Sequence, residues 1–279
     1  MPDHDSVWQS GEDVQRVENV LVDSDVAPET RRFLLGRASA GLLGAGGLAS
    51  VLAGCGSSHH SNAGAAASGT SSTGSTTSST SASSASEIQT TIDTAATAEA
   101  LAVTYLTAVI KQAAGTPLAR FADILKAANA EEYDHYKALK SLGAKPVATR
   151  FWVPNDFFGH KLSGVLPTLH LAETLFVNAY LIAITQFAKA GKASLARYAS
   201  EISGTEAQHL VLVNYAAGKT PPNDLGFTDY LITSIPGIVR ALEGVGIGFG
   251  KKGSKPGSFA SFAPPPASAV VKVNHTMPA

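Results

Sequence analysis

The chain has 279 residues and a formal net charge of −1, and only 15% of its residues are charged. It has no basic stripe with interleaved aromatic residues, so its charge pattern argues against a nucleic-acid partner. Cys55 is the only cysteine, which excludes an intrachain disulfide and leaves no thiolate cluster for a structural zinc ion. Length and composition agree with one modest domain once the two ends are set aside.

The first 55 residues have the pattern of an export signal. Arg31 and Arg32 precede an apolar stretch rich in Gly and Ala, residues 38–53, which is the arrangement of a twin-arginine signal. The tetrad Leu-Ala-Gly-Cys at 52–55 resembles a bacterial lipobox, in which Cys55 would be lipid-modified after cleavage. The pattern predicts the twin-arginine translocase as a partner and a lipid anchor at the extracytoplasmic side of the membrane, in the cell envelope. A weak transmembrane anchor or a fortuitous arginine pair is the alternative.

Residues 56–86 are almost entirely Ser, Thr, Gly and Ala. Such a segment cannot bury enough apolar area to order itself, which predicts a disordered tether. As a flexible coil it would span on the order of 30 Å. His59 and His60 within it either collect metal ions or are simply solvated, and the second interpretation is favoured.

Residues 87–218 predict four amphipathic helices, because apolar residues recur at steps of three and four. Six ionisable residues interrupt the apolar seams of these helices at positions that should be buried. Glu132 follows Glu99 at the same sequence separation as Glu206 follows Glu173, and each later glutamate begins a Glu-x-x-His pattern. The six are Glu99 on the first helix, Glu132 and His135 on the second, Glu173 on the third, and Glu206 and His209 on the fourth.

The connections predict how these helices are joined. Thr116 and Pro117 begin the second helix after a short turn, and Gly191 ends the third. The segment 143–163 contains several Pro and Gly residues and is long enough to cross the length of a bundle. We therefore expect an all-α four-helix bundle with one long crossover between helices 2 and 3. Residues 219–249 should add a short helical extension, divided by Pro236, and residues 250–279 a flexible tail.

Four buried carboxylates need a counter-charge, because burying each one alone costs several kcal/mol even after relaxation. Two divalent cations would balance four glutamates, and two neutral imidazoles would complete the ligand set. Carboxylate and imidazole ligands favour iron as the first choice and manganese as the second. The sequence therefore predicts a dinuclear metal site.

Four segments that carry these residues resemble the ferritin-like superfamily, and the likeness covers residues 86–218. Within it the chain is most similar to exported monodomain proteins related to desiccation-related proteins, in which Leu-Gly-Ala-Lys-Pro, here 142–146, follows the second helix. The resemblance implies a metal-binding four-helix bundle but no definite activity. The segments are Ala98–Ala102, Ala130–His135, Leu171–Glu173 and Glu206–His209.

The resemblance also implies roles for the ligands. Glu132 and Glu206 would bridge two ions, Glu99 and Glu173 would be terminal, and His135 and His209 would each bind one ion. A haem bound by methionines, as in bacterioferritins, is not expected, because the only methionines are Met1 and Met277.

Two functions follow. The first is a di-iron oxidoreductase, ferroxidase-like or reactive towards oxygen or peroxide, with no catalytic residues beyond the metal ligands. The alternative is a non-catalytic stress or desiccation module without a functional metal.

His170 has two interpretations. It could be a further metal ligand or outer-shell donor, but a hydrogen-bonded core histidine is the favoured interpretation. Tyr105 and Tyr133 are either redox-active or packing aromatics, and Glu131 and Glu201 lie off the seams and should be solvated. The oligomeric state is not predicted.

Overall fold

The structure is a computed structural model that describes residues 77–278. The predicted signal with Arg31, Arg32 and Cys55, and the pair His59 and His60, lie outside these residues. The helices are α1 (Thr77–Gln112), α2 (Ala122–Ser141), α3 (Val165–Lys189), α4 (Ala193–Ala216) and α5 (Ile235–Gly244). The strands are β1 (Arg150–Pro154), β2 (Gly248–Phe249) and β3 (Gly257–Ser261).

The four long helices pack as two hairpins. The most extensive helix contacts join α3 to α4 and α1 to α2, and smaller contacts join α1 to α3 and α2 to α4. Gly115 and Gly191 turn the two hairpins at φ values of +75° and +68°, a conformation that glycine adopts without strain. The Thr116 hydroxyl accepts a hydrogen bond from the Leu118 amide at the start of the short helix Pro117–Phe121. Both predicted hairpin turns are therefore present.

α1 begins earlier than the sequence predicts. It starts at Thr77, whereas the tether was expected to continue to residue 86. The alanines in this region are strong helix formers, and helix growth from an established helix needs no new nucleation.

The long connection between α2 and α3 contains a strand that the sequence did not predict. β1 lies between β2 and β3 in an antiparallel sheet, with Phe151 opposite Phe249 on one side and Ala260 on the other. Phe151 is fully buried, and the Trp152 ring packs edge-on against Phe259. The expected all-α class is therefore corrected: the fold is mostly helical with a small three-stranded sheet. The two partner strands are about a hundred residues away in sequence, and local periodicity carries no signal for such pairing.

The C-terminal segment differs from the expected flexible tail. Residues 257–261 form β3, and the Ala269 carbonyl accepts a hydrogen bond of 2.9 Å from the Asn129 side chain on α2. α5 is the predicted short helix, and Pro236 lies in its first turn rather than dividing it. Before it, the Asn178 side chain on α3 binds the backbone of Leu231 and Ile232. Buried amides on the long helices thus hold this part of the chain.

Within residues 77–278, one helix is long and apolar enough to cross a membrane by length and composition alone. This helix is α3, and half of its most apolar window is buried inside the protein. It also carries the buried Glu173. Packing against the other helices accounts for its apolar character.

Candidate metal centre

The four long helices bring the six predicted residues together in the interior. The seam positions of α1 and α3 each supply one glutamate, and those of α2 and α4 each supply a glutamate and a histidine one helical turn apart. Glu99, Glu132 and Glu206 are 0% exposed, and the other three side chains are also buried. Three ionisable side chains completely removed from water require compensation from their surroundings.

The six residues form two overlapping groups. In each group, one possible ligand atom per residue lies within 4.8 Å of those of the other members. Glu132 and Glu206 belong to both groups, whereas the remaining residues belong to one each. The first group is Glu99, Glu132, His135 and Glu206, and the second is Glu132, Glu173, Glu206 and His209.

Both imidazoles direct Nδ1 to the carboxylates. His135 Nδ1 lies 3.1 Å from Glu206 Oε1 and 3.6 and 3.7 Å from oxygens of Glu132 and Glu99. His209 Nδ1 lies 3.2 Å from Glu132 Oε1, 3.3 Å from Glu206 Oε2 and 3.7 Å from Glu173 Oε2. Each Nδ1 atom therefore faces three carboxylates rather than one. A positive charge placed between the carboxylates could be shared by all of them.

Several of these buried atoms have no hydrogen-bond partner in the described structure. Unpaired buried polar atoms are costly, and native proteins retain few of them. Their concentration in one cluster fits a site whose oxygen and nitrogen lone pairs are directed to cations. The atoms are Glu99 Oε2, both carboxylate oxygens of Glu132, His135 Nδ1, Glu173 Oε2 and Glu206 Oε1.

The cluster separates the pKa values of its carboxyl groups. Burial and the neighbouring carboxylate Glu132 raise the pKa of Glu99 well above the usual carboxyl range, and burial does the same for Glu173. Burial also acts to raise the pKa of Glu132, but the adjacent Glu99 carboxyl group and the two nearby histidines outweigh it and leave the pKa low. The pKa of Glu206 is likewise lowered, because contacts with both histidines exceed the effect of burial.

The histidine pKa values move the other way. Burial alone would lower the pKa of His135 and His209, but the surrounding carboxylates raise both well above the usual imidazole range. In the absence of cations, the cluster is therefore balanced by protons on the two imidazoles and on Glu99 and Glu173. Metal binding at such a site must displace those protons.

Two residues contact the cluster that the sequence did not assign to it. The Tyr180 hydroxyl on α3 donates a hydrogen bond to Glu99 Oε1. Glu131, expected to be solvated, has Oε2 2.8 Å from His209 Nε2, although about a third of its side chain is exposed. Tyr180 lies on the α3 seam one heptad after Glu173, and that position was its only sequence signal. No sequence signal indicated the contact of Glu131, because its partner His209 lies on another helix.

The other candidates lie elsewhere. His170 Nε2 accepts a hydrogen bond of 3.1 Å from Lys219 Nζ, and burial together with this cation lowers the pKa of His170 to about 4. The Tyr105 hydroxyl donates to the Phe157 carbonyl. The Tyr133 ring stacks beside Tyr136, and Glu201 pairs with Arg197 at 2.9 Å. Tyr180, rather than Tyr105 or Tyr133, is the phenol in contact with the cluster.

Comparison with known proteins found no matching family model, no matching curated protein and no matching solved structure. The class of the site follows from its geometry alone. It is a buried carboxylate and histidine cluster that can hold a metal ion.

Proposed function

We propose that the chain is a ferritin-like four-helix protein whose cluster binds two divalent transition-metal ions. The observation that carries this proposal is the overlap of the two ligand groups at Glu132 and Glu206. Two residues common to both groups are suited to bridge a pair of ions. Glu99 and His135 would complete the ligands of one ion, and Glu173 and His209 those of the other.

Charge supports the number of ions. Four ionised glutamates carry four negative charges, which two divalent cations neutralise without any other buried charge. A single divalent ion would leave two of these charges uncompensated unless protons remained. Two ions and two neutral imidazoles therefore give the site its best balance.

The donor set supports iron first and manganese second. Imidazole and carboxylate ligands suit both metals, and the six residues include no thiolate to favour a structural zinc ion. Bound iron would supply electron transfer to oxygen or peroxide. Residues outside the ligand set hold the ligands in place: Tyr180 is hydrogen-bonded to Glu99, and Glu131 is hydrogen-bonded to His209. The buried interior excludes bulk water. We infer a ferroxidase-like or oxygen- and peroxide-reacting protein that protects against stress.

Metal content by plasma mass spectrometry on the full-length protein tests the site. We expect about two iron or manganese ions per chain, lost in the double variant His135→Ala, His209→Ala. Two control variants are matched to ligand variants. His170→Ala removes a histidine that belongs to neither ligand group. Glu201→Ala is compared with the ligand variant Glu206→Ala on the same helix. A folded parent without bound metal would overturn the proposal, as would equal loss of metal in the controls.

One observation favours a second candidate, a non-catalytic stress or desiccation module. Each histidine lies within 3.3 Å of at least one carboxylate oxygen, so protonated imidazoles can neutralise part of the cluster without a metal. The two candidates differ in the variant Glu99→Ala. Loss of Fe²⁺ oxidation supports the enzyme, whereas a parent that oxidises no Fe²⁺ and a variant with only a lower melting temperature support the module.

We also propose that the protein is exported by the twin-arginine translocase and anchored by lipid at the extracytoplasmic side of the membrane. The support is the pattern of Arg31, Arg32 and Cys55, which lie outside the described residues. An exported, anchored protein would place the metal chemistry at the cell envelope.

A further inference from the structure

The wall of one apolar cavity contains both an exposed residue and a member of the carboxylate and histidine cluster. It lies between α1, α3 and α5, and two of its lining residues are Glu99 and Tyr180. Val147, which also lines the cavity, is 74% exposed. The cavity thus joins a solvent-exposed residue to the buried hydrogen bond between Tyr180 and Glu99.

Apart from that hydrogen-bonded pair, the cavity wall presents little polarity. Its other residues are mostly Ala, Val, Ile, Leu and Phe. The hydroxyl groups of its buried threonines are already used, since Thr91 donates to Gln186 and Thr97 donates to the Asp93 carbonyl and accepts from the Val147 amide. A cavity of this kind offers a polar ligand too few partners along its length, and apolar cavities tend to stay dry.

The size of the cavity limits its occupant. Its volume is about 60 Å³. A dry cavity of roughly 150 Å³ accepts benzene, so one of this size suits a smaller apolar molecule. Among the oxidants considered for the site, dioxygen is small and apolar. Hydrogen peroxide needs hydrogen bonds that the wall does not supply.

A partly exposed polar group contacts the cluster outside this cavity. Glu131 contacts His209 and is about one third exposed, and it is not among the residues that line the cavity. A second apolar cavity, of about 40 Å³, reaches Glu173 and includes Ala102 and Leu106. Of these two cavities, the larger has both the exposed Val147 and Tyr180 in its wall.

We propose that the cavity between α1, α3 and α5 is a binding site for dioxygen and its route to the Glu99 side of the metal cluster. This inference rests on the proposed function for its oxidant, but the cavity itself can be tested without metal. It assigns dioxygen, rather than peroxide, as the oxidant that this wall of the protein admits.

The first test uses xenon as a small apolar probe. It is added to the full-length protein after metal has been removed by chelation, and circular dichroism checks that the protein is folded. We expect xenon to shift the methyl NMR signals of Ile238 and Val239, which line the cavity. Ala98→Leu and Val239→Phe fill it from opposite walls and should abolish the shifts. The matched control Ala102→Leu, one turn along α1 in the second cavity, should retain them. Absence of shifts in the parent overturns the proposal.

The second test measures Fe²⁺ oxidation with each oxidant separately. Two Fe²⁺ ions give two electrons, which with two protons reduce dioxygen to hydrogen peroxide, or reduce hydrogen peroxide to two water molecules. In Ala98→Leu and Val239→Phe we expect the rate with dioxygen to fall several-fold and the anaerobic rate with peroxide to stay unchanged. An unchanged rate with dioxygen, an equal fall with both oxidants, or a fall only in Ala102→Leu overturns the route.

The two proposals fail in different ways. A parent that binds no metal or oxidises no Fe²⁺ overturns the proposed function and the dioxygen assignment together. The xenon result then still decides whether the cavity takes up a small apolar molecule. A parent with two ions and rapid peroxide-driven oxidation, but no xenon shifts, overturns the cavity proposal alone.

Discussion

Tyr180 and Glu99 form a hydrogen bond between two helices, with the hydroxyl on α3 donating to a carboxylate oxygen on α1. Both side chains are buried, and the other oxygen of Glu99 has no hydrogen-bond partner among the described residues. The bond therefore directs one oxygen to the phenol and leaves the second to the cluster. A ligand held in this way is oriented before any cation binds.

Removing this hydroxyl tests its contribution to stability. In Tyr180→Phe, Glu99 Oε1 loses its donor in a buried setting, so we expect the free energy of unfolding of the metal-free protein to fall by about 1–3 kcal/mol. Urea denaturation measures the change. The control is Tyr215→Phe, because the Tyr215 side chain is largely exposed. Equal stability of the two variants would show that the bond contributes nothing.

Glu131 is expected to set the orientation of His209. Its carboxylate accepts from Nε2 and thereby keeps Nδ1 facing Glu132 and Glu206. Outer-shell carboxylates of this kind change metal affinity by roughly 10–100-fold. We expect Glu131→Gln to weaken metal binding by that order in a competition titration with a chelator. Glu201→Gln, on an α4 glutamate that pairs with Arg197, should leave the affinity unchanged. A similar affinity for both variants contradicts the role.

Metal removal should make the stability of the protein fall more steeply as pH rises above neutral. In the metal-free protein the pKa values of Glu99, Glu173, His135 and His209 are all raised. The folded state then binds protons that the unfolded state has released, so stability falls as pH rises. The slope is about 1.4 kcal/mol per pH unit for each such proton.

Urea denaturation between about pH 7 and pH 9, with and without metal, measures this effect. The metal-loaded protein should lose less stability over the same range, because its ligands are already deprotonated. His170 does not interfere, since its pKa of about 4 places its titration below this range. A metal-free protein that becomes more stable with rising pH would contradict the shifted pKa values.

Asn178 is expected to hold the C-terminal segment on the helices. Its side chain makes three hydrogen bonds with the backbone of Leu231 and Ile232. At about 0.5–1.5 kcal/mol each, their loss in Asn178→Ala should lower the free energy of unfolding by roughly 2–4 kcal/mol. Limited proteolysis of residues 219–234 should accelerate as well. The exposed Gln112→Ala serves as a control, and equal effects of the two variants would show that this anchor is unimportant.

Export and anchoring have their own test. We expect replacement of Arg31 and Arg32 by lysine to retain the protein in the cytoplasm, because the paired arginines are the element of a twin-arginine signal that its translocase recognises. Cys55→Ser should still be exported but should leave the membrane fraction. Cell fractionation measures both. Export of the lysine variant, or membrane retention of the serine variant, contradicts the signal or the lipid anchor respectively.

The sequence by itself determined the helices and the six residues of the cluster. Helical hydrogen bonds are local, so burial leaves a period of three to four residues, and a carboxylate such as Glu99 on that period is visible without a structure. Repetition of the Glu-x-x-His pattern added that the six belong together. Both inferences depend on relationships within one helix or on matched spacing along the chain.

The tertiary structure decided everything that depends on contact between distant segments. The pairing of β1 with β2 and β3, the contact of Glu131 with His209 and the anchoring of Ala269 by Asn129 all join residues far apart in sequence. Non-local contacts leave no periodic trace, because each partner's pattern reflects its own element. For that reason the sequence predicts neither the sheet nor the contacts of the C-terminal segment, and it predicts a solvated Glu131.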